Sequence, residues 1–241
     1  MTTSVGTEPA SVPPLAGPAT AFLAAVVLAT TAAALPALLA LGTDGGDLAT
    51  FGLLAGAAAV AQMLLVETGK NYGFPIAVAF VVAGVLLLPV GLVALLGIAM
   101  HAPDLVLRRY PWYIRSFNTG NYTLDALAAW AAARAISDLA APTGTRWAVA
   151  ALVACVVFIG LNHALLAVML LLARGHGVRE SGLFAPGALS IDLALAATGV
   201  AIAALAAHNE VLVLAPVASL ALAHMLVRLM ATANGTAVTR R

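Results

Sequence analysis

From position 74 to position 100 the chain carries no charged side chain, a run longer than the roughly 20 apolar residues that take an α-helix across a bilayer. Two further uncharged runs cover 19–41 and 147–173. A helix satisfies its own backbone polar groups, so lipid tolerates such segments. A water-soluble core of this size would need a charged shell, and the chain does not supply one. Hydrophobic residues make up 63% and charged residues 9%, where soluble chains carry about a quarter charged; the mean hydropathy is +1.04. The expected fold class is therefore all-α, a polytopic transmembrane helical bundle in the cell membrane. Positions 1–18, rich in Pro, Ser and Thr without Lys or Arg, read as a flexible tail lacking the basic region of a secretory signal. Positions 19–232 form one transmembrane domain, and 233–241 a short C-terminal tail.

The spans expected are 19–41, 48–66, 74–100, 117–136, 147–173, 188–207 and 211–231. Within 74–100, Leu88-Pro89-Val90-Gly91 interrupts the run. Pro89 removes an intrahelical hydrogen bond and clashes with the preceding turn. This favours two short helices of about 20 Å each, shielded by protein, and the count becomes seven spans, or eight with the break. Gly52 and Gly56 form a small-xxx-small pair of the kind that permits close helix approach. The polar loop from Glu67 to Gly73 holds the only lysine, Lys70, which excludes a retinal-type pigment with its in-span Schiff base. Basic residues are retained on the cytoplasmic side. Arg108, Arg109 and Arg115 share one side with Arg174, Arg179, Arg228, Arg240 and Arg241, and outnumber Arg134 and Arg146 on the other. The C-terminus is thus expected in the cytoplasm; the N-terminus is inside with eight spans and outside with seven.

The most informative polar stretch runs from Asp104 to Asp138. Its first part, with Arg108, Arg109, Tyr110, Trp112, Tyr113 and Arg115, reads as a membrane-surface anchor, or as a docking surface for anionic lipid or a partner. Its second part places Asn118, Asn121 and Asp125 within about 60° of one another on a helix of 3.6 residues per turn, with Tyr122 beside them. An aspartate in the bilayer costs roughly 2.5–3.5 kcal/mol on insertion scales, so this face must point inward. Two roles suit it: a ligand, ion or proton site, or a polar clasp worth about 1 kcal/mol per hydrogen bond. Asn162 and His163, at mid-depth of their span, are a partner for that face and a neutral core histidine or ligand respectively. The ligand-binding candidates are therefore Asn118, Asn121, Asp125, Asn162 and His163.

Other polar groups read as structural. Asp192 lies near the start of its span, where it snorkels to the interface or complements the helix N-terminus. His101, Asp104 and His176 fall near the expected cytoplasmic surface and His208 with Glu210 near the opposite one, so no shared metal site is expected. Asp44 to Asp47 is a turn. Cys155, the one cysteine, is a small core residue. No nucleophile with a local base, glycine-rich phosphate loop or HExxH pair is present. The chain is thus expected to be no enzyme, to need no cofactor or metal, and, with its basic residues scattered, to bind no nucleic acid.

The break at Leu88-Pro89-Val90-Gly91, the helix ending LVALLGIAMHAPDLVLRR, the pattern PWYIRSFNTGNYTLDALAA and the mid-span Asn162 together resemble bacterial membrane-associated sensor domains, which precede GGDEF or HD-GYP output domains. The resemblance covers about 67–172, and its matching positions are Phe117, Asn118 and Asn162. It implies an input module that recognises a small ligand or ion. This sequence shows no output domain after Arg228, which implies action through a separate partner on the cytoplasmic side. The alternatives are a transport component, such as the substrate-binding subunit of a small-molecule or metal importer, and a structural membrane subunit.

Overall fold

The structure is a computed structural model that describes residues 15–42, 44–63, 66–68, 72–74, 76–106, 110–139, 143–206, 208–209 and 211. The tail before position 15, Lys70, Arg108, Arg109, the last expected span and the C-terminal tail lie outside the described residues. The elements are α1 (Gly17–Leu39), α2 (Gly45–Met63), a hairpin of β1 (Val66–Thr68) and β2 (Tyr72–Phe74), α3 (Val78–Leu87), α4 (Val90–Ala99), α5 (Ala102–Val106), α6 (Trp112–Arg134), α7 (Gly144–Arg174), α8 (Val178–Ser181) and α9 (Pro186–Ala206). Among the described residues four helices, α1, α2, α7 and α9, are long and apolar enough to cross a membrane.

The boundaries follow from local chemistry. Pro18 occupies the first turn of α1, where a missing N–H costs nothing. The expected acidic turn caps α2, since Asp44 Oδ1 accepts the Asp47 N–H at 2.8 Å. The start of α2 therefore lies three residues earlier than hydropathy alone suggests. Within the stretch expected as a loop from Glu67 to Gly73, two short strands pair antiparallel, Val66 with Phe74 and Thr68 with Tyr72, and the other elements among the described residues are helices. Gly175 takes the left-handed conformation (φ 69°) and closes α7 by donating to Leu171 O at 2.9 Å, a cap that glycine adopts without steric cost.

The interruption at Pro89 makes two helices. Leu88 (φ −99°, ψ 152°) and Pro89 (φ −64°, ψ 153°) are both extended, and the chain folds back so that Gly84 of α3 lies against Leu96 of α4. With ten residues apiece, the helices are about 15 Å long at 1.5 Å per residue, shorter than the 20 Å expected, because α3 begins only at Val78 and Leu88 and Pro89 belong to the turn. Neither reaches across a hydrocarbon core of about 30 Å. Protein shields them: nearly all of α3, and Leu92, Val93, Ala94 and Leu96 of α4, are buried. The break frees the Leu88 carbonyl, and Trp130 Nε1 of α6 donates to it at 3.1 Å.

Contacts along α6 order the remaining helices around this pair. Phe22 and Phe117 stack obliquely at 6.4 Å, Thr30 donates to Gly120 O at 2.9 Å, and Ala34 clusters with Ala94 and Leu127. Thus α1 runs alongside α6 in the same direction. Ala94 at Leu127 and Gly97 at Thr123 set α4 antiparallel to α6. Phe117 clusters with Met169 and Asp125 meets Asn162, so α7 is antiparallel to α6 as well. In α9, Gly199 packs against the Ala79 backbone and Val82 of α3. The main core gathers α2, α3, α4, α6, α7 and α9.

Candidate functional site: a buried polar layer

The helix bearing the polar face starts at Trp112, five residues before the start expected from hydropathy. Pro111 precedes it with ψ 145°, and its preset φ makes a ready helix entry. The anchor residues Trp112, Tyr113 and Arg115 therefore belong to the first turns of the same helix as Asn118, Asn121 and Asp125. Trp112 is exposed and meets Tyr113 edge-on at 6.1 Å. Arg115 Nε donates to Tyr110 O at 2.7 Å, which fastens the segment before the helix to its first turn.

Further along α6, Asn121 and Asp125 are buried, at 2% and 0% exposure. The Asn162 Nδ2 of α7 donates to Asp125 Oδ2 at 2.9 Å. Tyr122 packs between the rings of His101 and Phe158, at 5.3 and 6.1 Å. Asp125 Oδ1 and Asn121 Oδ1 are buried and have no hydrogen-bond partner among the described residues. Asn118, at the lower end of the face, is half-buried and makes no side-chain hydrogen bond among the described residues. The structure thus brings together Asn121, Asp125 and Asn162, while Asn118 stands apart.

Two carboxylate–imidazole pairs flank this centre. His163 Nε2 lies 2.8 Å from Asp192 Oδ2 of α9, and the Phe184 ring covers the imidazole edge-on at 5.5 Å. An ionised carboxylate only accepts, so it requires the proton on Nε2. Asp192 therefore does not snorkel to the interface: its partner is one helix away, inside the bundle. On the other flank, Asp104 Oδ2 accepts from Gln62 Nε2 at 2.9 Å and lies 3.1 Å from His101 Nδ1. His101 and Asp104 are buried at 5% and 4% exposure, with α5 packed against α2.

Sequence reasoning missed both pairs. Gln62 was a signal in principle, an amide inside an apolar span. His163 and Asp192 are separated by 29 positions, and no pattern within either helix points to the other. Among the described residues no three His, Cys, Asp or Glu side chains converge as a metal ion would need. The layer consists of carboxylates, amides, imidazoles and a phenol, groups that hold protons, cations or hydrogen-bonding ligands. Compared with models of protein families, with curated proteins and with solved structures, the chain matches none.

Proposed function

We propose that this chain is a multi-pass membrane input module: a small ligand or ion binds at the inward face of α6 and shifts the packing of α6 against α7. The supporting observation is the state of Asp125. A polar clasp would leave every buried group bonded, since an unpaired buried polar group costs about 1–3 kcal/mol. Here the carboxyl is fully enclosed and bonded through one oxygen, while Asp125 Oδ1 and Asn121 Oδ1 are unpartnered among the described residues. Two acceptors without donors fit a site that takes an occupant better than a finished structural joint.

The same helix carries the anchor of Trp112, Tyr113 and Arg115, so a change at Asp125 is transmitted along a rigid element to the membrane surface. Retention of basic residues makes that end cytoplasmic, and Arg174 closes the end of α7 that packs beside Phe117, with Arg179 just beyond it. In this arrangement a bundle of eight spans, with the Pro89 segment divided, carries its C-terminus in the cytoplasm, and a separate signalling partner receives the output there. Any such signal requires differential binding to two packings.

The test is a thermal-shift measurement on the purified protein against a panel of ions and metabolites, with Asn118→Ala and Asp125→Asn as controls. A ligand that raises the wild-type melting temperature but not that of Asp125→Asn supports the reading. If no ligand stabilises the wild type and both variants merely melt lower, the face is structural. A second reading, a transport component, draws on the paired half-helices α3 and α4, since interrupted helices line substrate sites in many transporters. Uptake into reconstituted vesicles distinguishes it.

A further inference from the structure

We infer that the occupant of the α6 site is a proton, bound by Asp125. The inference rests on the reading of that face as a binding site and names its ligand. Asp125 Oδ1 and Asn121 Oδ1 are both enclosed and without a hydrogen-bond partner among the described residues. A hydrated ion or a metabolite reaches them only by parting the helices, whereas a proton needs no volume. The pair is also of the right chemistry: both atoms are acceptors, and a proton on the carboxyl supplies the donor that the set lacks.

Among the described residues, the charges around Asp125 leave it uncompensated. On α6 itself the neighbouring titratable group is Tyr122. From α7 come Asn162, a neutral donor, with His163 and Cys155 farther along the helix. His163 is engaged by Asp192 of α9, and His101 lies by Asp104 of α5. Among the described residues, the other helices packed on α6, namely α1, α3 and α4, contain no titratable side chain. No cation among the described residues pairs with Asp125. A bare carboxylate buried against a single amide is strongly disfavoured, and such a group takes up a proton instead. Loss of that proton leaves a carboxylate that must be rehydrated, which separates α6 from α7. The stimulus is thus proton activity at the bundle core.

Infrared spectroscopy of the protein in liposomes tests this directly. At neutral pH the wild type should show the C=O stretch of a protonated carboxylic acid, displaced in D2O. Asp125→Asn should abolish it, Asp125→Glu should restore it at a shifted frequency, and Asp192→Asn should leave it in place. The inference is overturned if Asp125→Asn removes a carboxylate band and leaves the protonated band intact. Because Asn mimics the neutral acid, that variant keeps the closed packing; Asp125→Glu supplies the comparison if it does not insert. Alkylation of the buried Cys155 of α7 reads the consequence. As pH rises past the loss of the band, the wild-type rate should climb severalfold over that of Asp125→Asn at the same pH, and a constant ratio would count against the inference. The band reports protonation whether or not the chain signals, so an ionised Asp125 sinks the proton while a ligand-induced thermal shift still stands for the input module.

Discussion

Trp130 Nε1 of α6 donates to the Leu88 carbonyl at 3.1 Å, and so supplies from a neighbouring helix the bond that the break before Pro89 takes away. In lipid, no water replaces it, and irregular backbone persists only where protein satisfies it. Trp130→Phe keeps most of the ring but removes the donor. The expected loss is about 1–3 kcal/mol, read as a lower melting temperature in detergent, whereas Trp112→Phe on the exposed end of the same helix should melt like the wild type. Equal melts for the two variants would show that the indole N–H does not support the break.

Close approach of α4 and α6 depends on Gly97. A Cβ there would stand 2.7 Å from Thr123 Oγ1 and 2.8 Å from Thr123 Cα, and the backbone atom has no rotamer by which to retreat. Gly97→Ala is expected to cost about 1–3 kcal/mol from overpacking. At Gly52 and Gly160 nothing lies within 4 Å, so alanine there should be neutral or slightly stabilising, given its better helix propensity. Chemical denaturation in mixed micelles checks the contrast, and a destabilised Gly52→Ala would mean that α2 meets a partner on that face.

The sequence carried the helical character and the break clearly, because uncharged length and a mid-run proline are local properties. It also carried the inward turn of Asp125, which follows from the cost of a carboxylate in lipid. What it did not carry was pairing. Asn162 and Asp125 meet because α6 and α7 are antiparallel with Phe117 beside Met169. By the same geometry Asp192 comes to His163, though its position near a helix start made the interface the natural expectation. Helix starts were displaced where caps decide them: Pro111 and Asp44 begin α6 and α2 before the apolar stretch does. The α6 case joins Trp112, Tyr113 and Arg115 to the polar face on one rod. Register between helices is set by small-residue contacts such as Gly97 with Thr123, which single-helix periodicity does not encode.

For the second polar pair, a double-mutant cycle with His163→Ala and Asp192→Ala should give a favourable coupling. Buried interhelical hydrogen bonds in membranes average about 0.6 kcal/mol and reach about 1.7. The 2.8 Å separation and low exposure of both side chains, 6% and 14%, place this pair toward the upper end. Reversible unfolding of the four variants measures it. Additive losses would mean that the two groups find other partners in either single variant.

Thr30 and Thr31 of α1 give the sharpest comparison of a cross-helix bond with a local one. Both hydroxyls bond the carbonyl four residues back, Thr30 to Val26 and Thr31 to Val27, each at 2.8 Å. Thr30 alone shares its single O–H with a second acceptor, Gly120 O of α6, at 2.9 Å. That reach is possible because Gly120 has no side chain; a Cβ there would come to 3.3 Å of both Thr30 Oγ1 and Val26 Cγ1. Thr31→Ala removes only a bond within its own helix and installs a stronger helix former, so its melt should be unchanged or raised. Thr30→Ala leaves the Gly120 carbonyl without its donor from α1 and should lower stability by about 0.6–1.7 kcal/mol. A matching melt for the two variants would mean that apolar contacts such as Phe22 with Phe117, rather than the hydroxyl, hold α1 against α6.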